Sequence, residues 1–176
     1  MLRQAAAAVA GLLVAIFVAM LSGLSPIAAV QFALLASLMA VVALTDVLTF
    51  RVPDVLVVAT TVFGLGFAFA AGDTSALSAA ILRIALVGVA LLALREAYFR
   101  WRGLDGLGLG DIKLIAAAGA WIDLAGIVNA VLIAALGALA AAGFVAAVRG
   151  WDGTRRLPFA AFLAPSIVMA WLVAFS

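Results

Sequence analysis

The chain has 176 residues, 69% of them hydrophobic and 10% charged, with ten Lys or Arg against eight Asp or Glu and a formal net charge of +2. A mean hydropathy of +1.39 leaves too little polar surface to cover a soluble globule, so the chain reads as an integral membrane protein. The absence of Cys and of His excludes thiolate nucleophiles, Ser-His-Asp and Cys-His machinery, Cys or His zinc sites and disulfides, which leaves a carboxylate pair as the leading catalytic option.

Apolar runs of about 20 residues cross a bilayer as helices, because only a helix satisfies its own backbone in lipid. Seven such segments are expected in chain order, at about 4–21, 27–45, 54–71, 76–98, 112–122, 125–148 and 159–175. The fold class is therefore all-α, a polytopic transmembrane bundle of six to seven membrane segments forming one domain over residues 1–176. The first segment reads as a retained helix, not a signal peptide, because a second span follows at once. Turn chemistry at Arg51-Val52-Pro53-Asp54 starts the third segment, with Pro and Asp where a helix start favours them. In the fourth, Arg83 lies within the span and is expected to snorkel toward Asp73 and the outer interface. Glu96 and Arg100 have the i,i+4 order that supports a helix. The fifth is short, either a half-span or a span closely joined to its neighbour. The Ala-rich sixth carries Gly137 and Gly143 as expected contact residues. Trp101, Trp121, Trp151 and Trp171 fall near segment ends, where aromatic side chains anchor to the interface.

Loop charge orients the bundle. With a cytoplasmic N-terminus, Arg3, Arg51, Arg95, Arg100, Arg102, Lys113, Arg149, Arg155 and Arg156 all fall on the cytoplasmic side, nine of the ten positive charges. On that side Asp46 closes the second segment and Asp111 opens the fifth, so both lie at one membrane face. Asp54, Asp105 and Asp152 share the face, whereas Asp73 and Asp123 are opposite. Two carboxylates held close share one proton, and such a pair can activate water and protonate a leaving amine. The simpler reading makes Asp46 a solvated helix end and Asp111 a helix cap.

Between long apolar runs, residues 103–114 gather four glycines, Asp105, Asp111 and Lys113. Gly108 and Gly110 are expected to let this loop run close to the site. Lys113 is two residues past Asp111 and on another helix face, so it reads as a headgroup anchor. The glycine spacing lacks the flanking strand that a dinucleotide site needs, so nucleotide binding is set aside.

Three blocks carry a family resemblance. Gly106-Leu-Gly-Leu-Gly-Asp111-Ile-Lys113, ending at Gly119-Ala-Trp121, resembles the Gly-x-Gly-Asp signature of the type IV prepilin peptidases. Thr45-Asp46 through Val52-Pro53-Asp54 is similar to that family's first aspartate motif, and Leu157-Pro158-Phe159-Ala160-Ala161-Phe162-Leu163 to its C-terminal block. The resemblance implies an aspartic-type endopeptidase with Asp46 and Asp111 as the catalytic dyad, and with Gly108, Gly110 and Lys113 in support. It implies a prepilin substrate whose short basic leader is cut at the cytoplasmic face of the bacterial inner membrane. Lacking Cys and a long N-terminal insert, the chain looks like the small peptidase-only branch found with tight-adherence pili, with no methyltransferase domain, cofactor or zinc. Membrane lipids are expected partners and nucleic acid is not. A small transporter or channel subunit, or a non-catalytic pilus-assembly protein, is the competing reading; the first would place charges deep in several spans.

Overall fold

The structure, a computed structural model, describes residues 23–104, 106–149 and 157–175. The expected segment 4–21 and Trp151 lie outside them. Every element among the described residues is helical: α1 (Pro26–Thr49), α2 (Asp54–Ala70), α3 (Thr74–Arg102), α4 (Leu109–Ala118), α5 (Leu124–Arg149) and α6 (Phe159–Phe175). Three of them, α1, α3 and α5, are long and apolar enough to cross a membrane, while α2 and α6 are shorter apolar helices. The ten residues of α4 rise only about 15 Å, half of a hydrocarbon core about 30 Å thick. The short fifth segment is thus a half-span in length, and it starts three residues earlier than expected.

The chain forms two compact units. The first contains α1, the part of α5 from Val128 onward, and α6. Ser25 caps α1 by accepting the Ala28 N–H at 3.3 Å, and Pro26 takes the first position, where its missing N–H costs nothing. Along α1 the buried positions Ala28, Phe32, Leu35, Met39, Val42 and Asp46 step by four and three residues, which draws one stripe down a helix. That stripe packs on α6, where Ala160, Leu163, Ala164, Ile167 and Trp171 are buried. Phe32 and Trp171 meet with ring centroids 5.7 Å apart. Since lipid tails are as apolar as these side chains, close van der Waals packing, not transfer from water, holds such helices together. Gly137 of α5 serves as expected, with the Phe162 ring so near that an added Cβ would lie 3.3 Å from Cδ1. At Gly143 an added Cβ meets nothing within 4 Å among the described residues.

The second unit runs from Val52 to Ile127 and is built around α4 and the turn after it. Ile112, Leu114 to Ala118, and Ala120 to Ile122 are all buried. Past Ala118 the chain tightens into i→i+3 hydrogen bonds at Gly119, Ala120 and Trp121, which satisfy backbone groups where the helix ends. Arg83 on α3 completes that end, its Nε donating to the Gly119 carbonyl at 2.9 Å. This replaces the expected reach toward Asp73. Asp73 instead caps its own helix by accepting the Ser75 N–H at 2.8 Å, and Ser75's hydroxyl and N–H hold its carboxyl below the usual range. Trp121 is likewise not an interface anchor. Its indole N–H donates to the Thr60 carbonyl of α2 at 2.8 Å, and its ring stands edge-on to Phe67 at 5.7 Å. Trp171 is buried as well, so only Trp101, 74% exposed, fits the anchoring role among the described tryptophans. The outer face of α3 leaves Leu82, Leu86, Val89 and Leu94 exposed, a surface suited to lipid.

Candidate active site

Asp46 is not a solvated span terminus. α1 continues to Thr49, so Asp46 occupies its last turn, and the step of four from Val42 carries it onto the buried stripe. It is 5% exposed. Its Oδ2 accepts the Ala161 N–H at 3.0 Å. Ala161 is the third residue of α6, where an N–H has no partner inside its own helix. The carboxylate thus satisfies an orphan donor at the positive end of a helix dipole. The helix carrying Asp46 then stops abruptly: Phe50 takes left-handed backbone, φ 54°, and its N–H closes on the Asp46 carbonyl at 2.8 Å.

Asp111 is the third residue of α4, with Gly108 at the cap position, so the cap reading does not hold for it. The residue is half-buried, and its carboxylate stands beside the loop backbone: a Cβ on Gly108 would lie 2.9 Å from Asp111 Oδ2. Only a residue without a side chain lets the loop pass this close. The loop is tied to the end of α3. Gly103 caps that helix in left-handed backbone, φ 68°, with its N–H on the Phe99 carbonyl at 2.7 Å. Arg95 Nε donates to the Leu107 carbonyl at 3.2 Å, and Gly106 lies under the Tyr98 ring, where a Cβ would come within 2.7 Å of Cδ1.

Gly110 packs on Val52, and Lys113 forms an ion pair with Asp54, Nζ to Oδ1 at 2.8 Å. Lys113 is therefore not simply a headgroup anchor, and Asp54 is the partner that sequence reasoning missed. Glu96 and Arg100 pair at 2.8 Å as expected. Ala161 was missed too, although the four-and-three spacing that ends at Asp46 signals a partner helix. Among the described residues no three His, Cys, Asp or Glu side chains cluster so as to hold a metal ion. Asp46 and Asp111 are each seated against backbone, the first on the Ala161 N–H and the second beside Gly108.

The sequence model of the type IV leader peptidase family matches residues 33–174, a span that includes both aspartates. A protein of Burkholderia pseudomallei (strain 1026b) named prepilin leader peptidase/N-methyltransferase is 42% identical over 98 residues, 48% of this chain and 29% of that protein. Its namesake in Pectobacterium carotovorum subsp. carotovorum is 32% identical over 131 residues, 74% of this chain and 47% of the relative. One from Xanthomonas campestris pv. campestris is 33% identical over 96 residues, 54% of this chain and 32% of the relative. The chain thus spans half or less of the length of these curated relatives. No solved structure matches it significantly.

Proposed function

The chain belongs to the type IV leader peptidase family, and from that premise we propose that it is an aspartic-type endopeptidase of the bacterial cytoplasmic membrane that removes the leader of pilin-like precursors. The observation that carries this reading is the family match across residues 33–174, which takes in Asp46 and Asp111 together. One carboxylate of the dyad takes a proton from water as the hydroxyl oxygen bonds to the scissile carbonyl carbon. The other, protonated, hydrogen-bonds the carbonyl oxygen and then gives its proton to the leaving nitrogen as the C–N bond breaks. The products are a leader ending in a carboxylate and a mature chain with a new amino terminus.

Arginines in the loops favour a cytoplasmic site by the positive-inside rule. The substrate's apolar helix would lie among the enzyme's spans, with its polar leader at that face. The loop arginines would repel a basic leader, and anionic lipid headgroups suit them better. The test is the full chain reconstituted in vesicles with a pilin-like precursor. Release of the leader and a new N-terminus, read by gel and mass spectrometry, is expected; an intact precursor overturns the reading.

Gly108→Ala provides a second check. The added methyl forces the Asp111 carboxylate to turn away, so processing is expected to fall by about 10²-fold, while the exposed loop position changes stability by no more than about 0.5 kcal/mol. A wild-type rate in this variant would show that the carboxylate does not work from the position it holds beside Gly108.

A further inference from the structure

The ion pair between Asp54 and Lys113 is not used by the proposed reaction, yet it joins two motif blocks 59 residues apart. The side chains are 72% and 50% exposed. Ion pairs in water contribute little to global stability, because both partners are well solvated and ordering them costs entropy. Stability therefore does not account for this one, and its place in the fold does. Asp54 is the first residue of α2, immediately after Pro53. Lys113 lies two residues beyond Asp111 on α4. Gly110 is three residues before Lys113 and so on the same face of the helix. A Cβ on Gly110 would stand 3.1 Å from Val52 Cβ and 3.7 Å from Val52 N. Two points on one face of α4 are thus seated on residues 52–54.

Fixing two points on one face fixes the rotation of a helix about its axis. Asp111 follows Gly110 by about 100° around that axis, so the same contacts set the direction in which its carboxylate points. The later turns of α4 are held by burial, but Leu109, Gly110 and Asp111 in its first turn are not buried, and its cap residue, Gly108, supplies no side-chain hydrogen bond. Resting on the dyad reading above, we propose that the Asp54–Lys113 pair is a positioning device that holds the first turn of α4 in register and so aims Asp111. Lys113 and Asp54 act through Asp111 and do not touch the scissile bond.

The test measures kcat, KM and melting temperature for the full chain in vesicles with the same precursor. Lys113→Gln and Asp54→Asn are each expected to lower kcat about tenfold, the cost of a small misplacement of a catalytic group. KM should stay within about twofold, since substrate binding is untouched, and the melting temperature should not move. Lys113→Arg keeps a donor within reach of Asp54 and should retain most of the rate. Exchanging the two charges, Asp54→Lys with Lys113→Asp, should recover activity relative to either single variant. A wild-type kcat in Lys113→Gln overturns the proposal, as does an exchange no better than the singles, or a loss confined to KM. Asp111→Asn in the same assay separates the two levels. If it still processes precursor, the dyad reading and this inference fall together; if it is inactive while Lys113→Gln is unaffected, only the positioning role falls.

Discussion

Asp111→Asn and Asp46→Asn are each expected to leave a folded, membrane-inserted protein whose cleavage of precursor drops by about 10² to 10⁴, the range supplied by a positioned acid or base. The substitution is isosteric, which makes the result interpretable. At position 46 the amide keeps an oxygen for the Ala161 N–H, so the junction of α1 with α6 survives and only the ability to exchange a proton is removed. At position 111 the variant loses a favourable charge in the first turn of α4, worth about 0.3–1 kcal/mol, too little to unfold the unit around a helix so thoroughly buried. Leader retention on a gel, with melting temperature as the control for folding, checks both. Normal processing in either variant ends the dyad assignment.

Gly64→Ala is expected to have the largest effect on stability. A methyl group there would lie 2.5 Å from Ala120 Cβ and 2.7 Å from Trp121 Nε1. Neither neighbour can move away cheaply. Ala120 has no rotamer to change, and the Trp121 ring is held by its bond to the Thr60 carbonyl and by Phe67. Overpacking of this kind costs about 1–3 kcal/mol, and Gly64→Val, with two further carbons, costs more. Gly66 on the same helix supplies the control, because a Cβ there meets nothing within 4 Å among the described residues. Gly66→Ala should be neutral or gain up to about 1 kcal/mol from helix propensity. Thermal unfolding in detergent distinguishes the two, and a Gly64→Ala protein as stable as the wild type would refute the packing.

Hydropathy located the helices well because span length is a property of local sequence. The segments expected at 54–71 and 159–175 correspond to Asp54–Ala70 and Phe159–Phe175. What hydropathy does not carry is direction around the axis. In a lipid-facing helix every side is apolar, so nothing in the composition says which side meets a neighbour. That is why Trp121 and Trp171 read as anchors but are buried, and why Arg83, nearly three turns beyond Asp73, turns to the Gly119 carbonyl instead. Motif spacing did carry the close approaches of the loop backbone. Gly108 and Gly110 were singled out for close approach, and both make it, one to the Asp111 carboxylate and the other to Val52. The partners Ala161 and Asp54 were not legible, because each contact spans more than fifty residues and depends on how helices are rotated.

The buried indoles have a practical consequence. Trp171, tilted against Phe32, belongs to the unit that carries Asp46, and Trp121, edge-on to Phe67, to the unit that carries Asp111. Each unit therefore contains its own fluorophore in a dry setting, while Trp101 emits from an exposed one. Variants that keep a single tryptophan would turn emission colour into two separate optical clocks, timing the loss of order around each carboxylate independently.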